Sequence, residues 1–168
     1  MHNDDLIVRH ATRKDAPALA QLHHARHSTD PTETEIRIRD HLDEIASGLQ
    51  FAVCVALLDQ QLVGYGMVGY RAMDTLGARN LPSGIYLAGV YTLPAYRMRG
   101  IGHALTQYRI QWANGQADRV YYYTHQDNQA SIALHSSLGF TERSRDFDVP
   151  PDIPGSRENM VLFAKAFS

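Results

Sequence analysis

The chain has 168 residues, 44% of them hydrophobic and 20% charged, with a formal net charge of -2. That length suits a single domain, residues 1–168, able to bury its own core, and the composition is that of an ordinary soluble globular protein. A charge so close to neutral excludes the concentrated basic face of a nucleic-acid binder, and no run approaches the roughly 18 apolar residues of a membrane span.

Met1–Arg9 carries two aspartates and no long apolar run, unlike a signal peptide, so a cytoplasmic protein is expected. Leu6–His10 alternates weakly and predicts a first strand. Thr12 with Asp15 three residues on forms a capping pair, opening a short helix through Leu19, Leu22 and Arg26. A second helix is expected after Asp30-Pro31-Thr32, with Ile38, Leu42, Ile45 and Leu49 at helical spacing and Gly48 as its C-cap. Phe51–Leu58 and Leu62–Arg71 flank the turn Asp59-Gln60-Gln61 as an antiparallel hairpin. Cys54, in the first of these runs, is the one cysteine; it cannot form an internal disulfide and reads as a buried, inert thiol. With no cysteine pair, no zinc or other metal site is expected.

Residues 72–83 form a loop, and Gly84–Leu93 is the next strand, closed by Pro94. Gly100–Gln116 is the clearest helix, its apolar stripe formed by Ile101, Leu105, Tyr108 and Trp112. Arg119–Thr124 is a strand in which Tyr121 and Tyr123 face one way and Tyr122 the other. A short helix over about Gln129–Ser137 follows; Phe140–Phe147 and Glu158–Ala166 finish as strands joined by the proline-bearing loop Val149–Gly155. The whole is an α+β pattern around one mixed sheet.

The sharpest local feature runs from Val90-Tyr91-Thr92 through Leu93-Pro94-Ala95-Tyr96 to Arg97-Met98-Arg99-Gly100-Ile101-Gly102. A strand ends at a proline, a basic loop follows, and glycines open an amphipathic helix. Amides at a helix start point outward and the helix dipole adds positive charge, while glycine lets an anion approach closely. Arg97 and Arg99 add full charges there. The spacing is neither a P-loop nor a dinucleotide fingerprint, and taken alone it also suits a strand–helix turn whose glycines serve packing.

Arg97-Met98-Arg99-Gly100-Ile101-Gly102 resembles the Q/R-x-x-G-x-G/A motif with which GNAT N-acetyltransferases hold the pyrophosphate of coenzyme A. A second block, Asn128-Gln129-Ala130-Ser131-Ile132-Ala133-Leu134-His135-Ser136-Ser137-Leu138-Gly139-Phe140, resembles that family's N-x-x-A-x-x-L-Y-x-x-x-G-F. The resemblance is concentrated between Gly84 and Phe140. It implies a GNAT-type central mixed, mostly antiparallel sheet of about seven strands flanked by about four helices. It implies acetyl-CoA as acyl donor, held by Val90, Tyr91, Thr92, Arg97, Met98, Arg99, Gly100, Ile101 and Gly102, with Asn128 near the pantetheine arm.

The family's usual proton donor is the tyrosine of the second block, and this chain has His135 there. Histidine can protonate a departing thiolate near neutral pH; His135 is the catalytic candidate, with a packing residue as the alternative. Where some relatives carry a glutamate five residues before the motif asparagine, this chain has Tyr123. His125, Asp127, Tyr91 and Tyr86 are further base candidates, and a water chain can replace a dedicated base. Asp30, Glu33, Glu35, Asp40, Asp43 and Glu44, with Asp146, Asp148, Asp152 and Glu158 on a later loop, would attract a cationic amine unless they are only a solvated face. The expected activity is acetyl transfer to a primary amine of a small cationic molecule, loosely like aminoglycoside 6′-type enzymes. Alternatives are a peptide or protein amine as acceptor, or a non-catalytic acyl-CoA-binding module; a homodimer is left open.

Overall fold

A computed structural model of the chain describes residues 5–151, 153 and 157–168. Residues 1–4, 152 and 154–156 lie outside the described residues, and with them the N-terminal tip, Asp152 and Gly155 named above.

The N-terminal elements follow their capping chemistry. β1 (Leu6–His10) leads to a 3-10 turn (Arg13–Asp15) and α1 (Ala16–His27). The Asp15 carboxylate accepts from the Thr12 amide at 2.7 Å and from Arg9 at 2.7 and 2.9 Å. Burial opposes its ionisation, but the bonds from Arg9 and Thr12 outweigh burial and hold it below the usual carboxylate range. α2 (Pro31–Ala46) starts with proline in its first turn, behind the Asp30 side chain, which accepts from the Glu33 amide at 2.9 Å. β2 (Phe51–Leu58) and β3 (Gln61–Arg71) form the expected hairpin. Asp59 and Gln60 both have positive φ, 49° and 67°, the pattern of a two-residue primed turn, so Gln61 joins the strand instead of the turn.

β4 (Gly84–Thr92), α3 (Ile101–Asn114), β5 (Arg119–His125), α4 (Gln129–Ser137), β6 (Thr141–Ser144) and β7 (Met160–Ala166) complete the fold. The strands form one seven-stranded sheet in the order β1-β2-β3-β4-β5-β7-β6. β4 and β5 are parallel, with Tyr86 opposite Tyr121, whereas β1–β2, β5–β7 and β6–β7 are antiparallel. The result is the mixed, mostly antiparallel sheet with four helices that the motifs implied. No helix among the described residues is long and apolar enough to cross a membrane.

Contacts divide the chain into two compact units, 1–68 with 88–109, and 69–87 with 110–168. In the first, Leu19, Leu22 and Leu42 from the helices pack on Val53, Val55, Leu62 and Tyr65 from β2 and β3. In the second, Met73, Leu81, Tyr86, Phe147, Val149 and Leu162 form the core. Each large apolar side chain so buried contributes about 1.5–3 kcal/mol. Cys54 is fully buried and burial pushes its thiol up to about 11, so it is inert at neutral pH.

Two further expectations need correction. The buried residues of α3 include Ile101, Leu105, Arg109 and Ala113, whereas Tyr108 and Trp112 are only half-buried. The stripe therefore shifts by one residue after its first turn, placing an arginine where apolar character would not predict one. The strand expected over Phe140–Phe147 is confined to Thr141–Ser144. Its register slips between Glu142 and Ser144, and Phe147 leaves the sheet to pack against the second core.

Candidate functional site

The end of β4 and the start of α3 lie together in the first unit. Gly89 has φ 53°, a left-handed residue inside a strand, which bends β4 just before Val90-Tyr91-Thr92. A 3-10 turn (Pro94–Tyr96) follows, and then Arg97, Met98, Arg99 and Gly100 are all exposed. Met98 and Gly100 are left-handed, at φ 63° and 78°. The Ala104 amide donates to the Gly100 carbonyl at 3.0 Å, so α3 begins there and the amides of Ile101, Gly102 and His103 have no partner within the helix. A Cβ built on Gly100 or on Gly102 would meet nothing within 4 Å. The main chain is thus bare and positively polarised on that face. Arg97 donates through Nε to the Thr92 carbonyl at 3.1 Å and lies 5.7 Å from the Tyr91 ring centre. Arg99 lies 5.4 Å from the ring of Tyr96. The helix-start amides and the exposed Arg97 and Arg99 are therefore anion-compatible groups on the loop that opens α3.

Asn128 and His135 lie in the second unit, on α4. Asn128 caps that helix: its Oδ1 accepts from the Ser131 amide at 3.3 Å, and its Nδ2 donates to Thr124 Oγ1 at 3.2 Å. His135 is 2% exposed and stacked on Tyr122, ring centres 3.6 Å apart and planes 9° from parallel. Its Nδ1 lies 2.7 Å from the Ser131 carbonyl oxygen, which can only accept. The proton is accordingly on Nδ1 in the neutral ring, and Nε2 donates only when the ring is doubly protonated. Tyr122 faces the core with His135, Phe140 and Phe163, while Tyr121 and Tyr123 face Tyr86, as strand alternation requires.

Tyr86 donates to the Pro82 carbonyl at 2.6 Å, and its phenol is pushed well up, chiefly by burial, which suits a core residue. His125 Nδ1, at the end of β5, lies 3.5 Å from Asp127 on the loop that follows.

A cavity of about 320 Å³ opens in the first unit between α1, α2 and the β2–β3 face. Leu19, Ile38, Val53, Tyr65 and Met67 supply its apolar walls, and His23, Thr29, Thr34, Arg37 and His41 its polar ones. Long-range packing assembles it, so no local sequence spacing announces these residues. The acidic residues of α2 are largely committed elsewhere: Asp30 caps the helix, Glu35 pairs with Arg39 at 2.7 Å, Asp43 with Arg13 at 3.4 Å and Glu44 with His41 at 3.7 Å. None lines the cavity. On the later loop, Arg79 binds Asp146 and Asp148 at 3.0 and 2.9 Å.

The chain matches the Acetyltransferase (GNAT) family over residues 16–140. The aminoglycoside N(6')-acetyltransferase type 1 of Salmonella typhimurium is 27% identical over 104 residues, 61% of this chain and 71% of that protein. The ribosomal-protein-alanine N-acetyltransferase of Brucella melitensis has a crystal structure with a TM-score of 0.69 and 25% identity, covering 96% of this chain and 99% of that one. The structure of yncA from Salmonella typhimurium with acetyl-CoA has a TM-score of 0.71 over 98% of this chain and 95% of that one; at 20% identity it bears on the fold alone. The family match spans well over half of the sequence and takes in both β4 and the glycine-opened helix, and the chain belongs to the acetyltransferase (GNAT) family.

Proposed function

We propose that this acetyltransferase transfers the acetyl group of acetyl-CoA to a primary amine of a small molecule, as one domain spanning residues 1–168. The division between its two compact units cuts through β3, β4 and α3, which supports a single domain.

The observation that carries the reading is the bare backbone at the start of α3, where Gly100 and Gly102 leave the amides open and Arg97 and Arg99 add charge. These residues fit a pyrophosphate: amides without a partner in the helix, the helix dipole and exposed guanidinium groups belong to one short loop. The Ile101, Gly102 and His103 amides and Arg97 would hold it, with Met98 and Arg99 beside them. The main chain of Val90, Tyr91 and Thr92 would pair with the pantetheine arm, and Asn128 would sit near that arm.

Acetyl-CoA supplies an acetyl group already activated as a thioester, so the protein's task is positioning and proton handling. The acceptor nitrogen loses a proton as its amide bond forms, and the sulfur gains one as its bond to the acetyl carbon breaks. An amide from Val90–Thr92 would donate to the acetyl oxygen as negative charge develops there. His135, at the position of the family's tyrosine, would supply the sulfur's proton from Nε2. Tyr86 is a core residue bonded to a carbonyl and His125 lies against Asp127, and the amine's proton would pass to water.

The half-open cavity of about 320 Å³ beside α1 and α2 has the size of a small-ligand site, which supports a small acceptor over an extended peptide. Thiol release from acetyl-CoA, measured with amino acids, polyamines, aminoglycosides and peptides, tests this. Turnover of small amines is expected. Turnover of peptides alone would overturn the acceptor reading, and acetyl-CoA binding without thiol release by any amine would leave a non-catalytic module.

A further inference from the structure

The cavity between α1, α2 and the β2–β3 face approaches β4 closely: Tyr65 lines it, and the Tyr65 ring centre lies 6.0 Å from that of Tyr91. Its volume is at the low end for small-ligand sites, about 300–1,000 Å³. Its polar lining includes His23, Arg37 and His41 and, among the described residues, no aspartate or glutamate. Thr34 also lines it, is 5% exposed, and has an Oγ1 without any hydrogen-bond partner among the described residues. A buried hydroxyl left unpaired is costly, and a ligand acceptor atom would relieve that cost.

The charged groups that act on His23 at the cavity are cationic. Burial first, and then His27, Arg26 and Arg37, disfavour a charge on His23. A cationic ligand would meet the same repulsion, whereas an anionic group would relieve it. Arg37 is available to such a group, because its contact with Glu33 is 4.0 Å long and both side chains are highly exposed. Exposed pairs of that kind exchange cheaply.

Resting on the acetyltransferase reading and deepening it, we propose that the acceptor is a primary amine carrying an apolar body and a carboxylate. The apolar body fills the space beside Leu19, Ile38 and Val53. The carboxylate meets the Arg37 guanidinium and the Thr34 hydroxyl, leaving the amine to face β4. The acidic residues of α2 therefore do not recruit a polycation; they organise the helix that carries Thr34 and Arg37.

The test compares kcat/KM for leucine and phenylalanine with that for leucinamide and phenylalaninamide, which keep the amine and apolar body but lose the anion. Spermidine and an aminoglycoside serve as cationic controls. The acids should exceed their amides by about tenfold or more, the worth of a hydrogen bond to a charged group. Arg37→Gln and Thr34→Val should each shrink that ratio, and Thr34→Ser should keep it. Equal rates for acid and amide, a preference for the cations, or neither turnover nor calorimetric binding of the acids would overturn the proposal. Acetyl-CoA titrated calorimetrically into the same samples separates the two failures. If acetyl-CoA binds and cations are acetylated, the acceptor class alone is wrong; if acetyl-CoA does not bind, the underlying reading fails.

Discussion

Nη1 of Arg109 lies 3.2 Å from the carbonyl oxygen of Ala88 and 3.1 Å from that of Met67. One guanidinium thus fastens α3 to the main chains of β3 and β4, immediately before the left-handed Gly89. It is 1% exposed, and its other nitrogens donate to the Leu105 carbonyl at 3.2 Å and to Thr106 Oγ1 at 3.0 Å. Burial lowers its pKa to about 10, which still leaves it charged at neutral pH. Carbonyl dipoles and a hydroxyl hold this charge, and Gly66 makes room for it: a Cβ there would come within 2.9 Å of the guanidinium. Arg109→Met should cost about 2–4 kcal/mol in urea unfolding, through lost hydrogen bonds and a mis-shaped core. A loss under about 0.5 kcal/mol, the level of a neutral surface change, would show that the clamp does not matter.

His135 and Tyr122 are packed ring on ring, so a substitution must keep an aromatic shape to be informative. His135→Phe should preserve the melting temperature within a few degrees and lower kcat by about a hundredfold or more, the range of general-acid assistance. His135→Tyr should retain much of the activity. Because the Ser131 carbonyl fixes the first proton on Nδ1, donation from Nε2 needs the doubly protonated ring. The contribution should therefore decline as rising pH removes the second ring proton. Near-normal kcat in His135→Phe would make this histidine a packing residue only.

Much of this was legible in advance because it is local. Capping at Thr12 and Asp30, the hairpin around Asp59-Gln60, and the glycine-opened α3 depend on residues a few positions apart, and the structure has them where pattern and propensity put them. What escaped depends on long-range packing. Arg109 is buried because carbonyls on two distant strand segments receive it, and nothing in its neighbours along the chain says so. Likewise Thr34, Tyr65 and His23 become a lining only when α1, α2 and the sheet converge. The acidic run of α2 and its neighbours Arg37 and Arg39 are visible in the sequence, whereas the pairing of Asp43 with the distant Arg13 comes from packing.

The two loop arginines should contribute unequally. Arg97 is anchored through Nε to the Thr92 carbonyl, at the end of the strand expected to hold the pantetheine arm, which pre-positions its terminal nitrogens. Arg97→Ala should weaken acetyl-CoA binding by about 1–3 kcal/mol, and Arg99→Ala by less. The reverse order in calorimetric titrations would mean that the motif has been placed wrongly on the loop.

His23 sets an acid limit on stability. Its pKa lies below the ordinary histidine value of 6.5, through burial and then the charges of His27, Arg26 and Arg37. The unfolded chain therefore takes up a proton more readily than the folded one, and stability falls as pH drops below about 6.5. His23→Gln should flatten that part of the profile in denaturant titrations between pH 7 and pH 5, values of about the titration range of histidine. An unchanged slope would remove His23 as the origin of the acid sensitivity.

The central claim, that acetyl-CoA is held on the bare backbone at the start of α3, is tested most directly at Gly102. In the free protein a Cβ there meets nothing within 4 Å, and its φ is not one that disfavours a side chain. Gly102→Leu should therefore leave folding intact while filling the space a pyrophosphate needs. Calorimetric titration should give one acetyl-CoA per chain for the unsubstituted protein. For Gly102→Leu it should give at least about a hundredfold weaker binding, the loss of one or two charge-assisted contacts, at an unchanged melting temperature. Equal affinity in the two proteins would contradict the account.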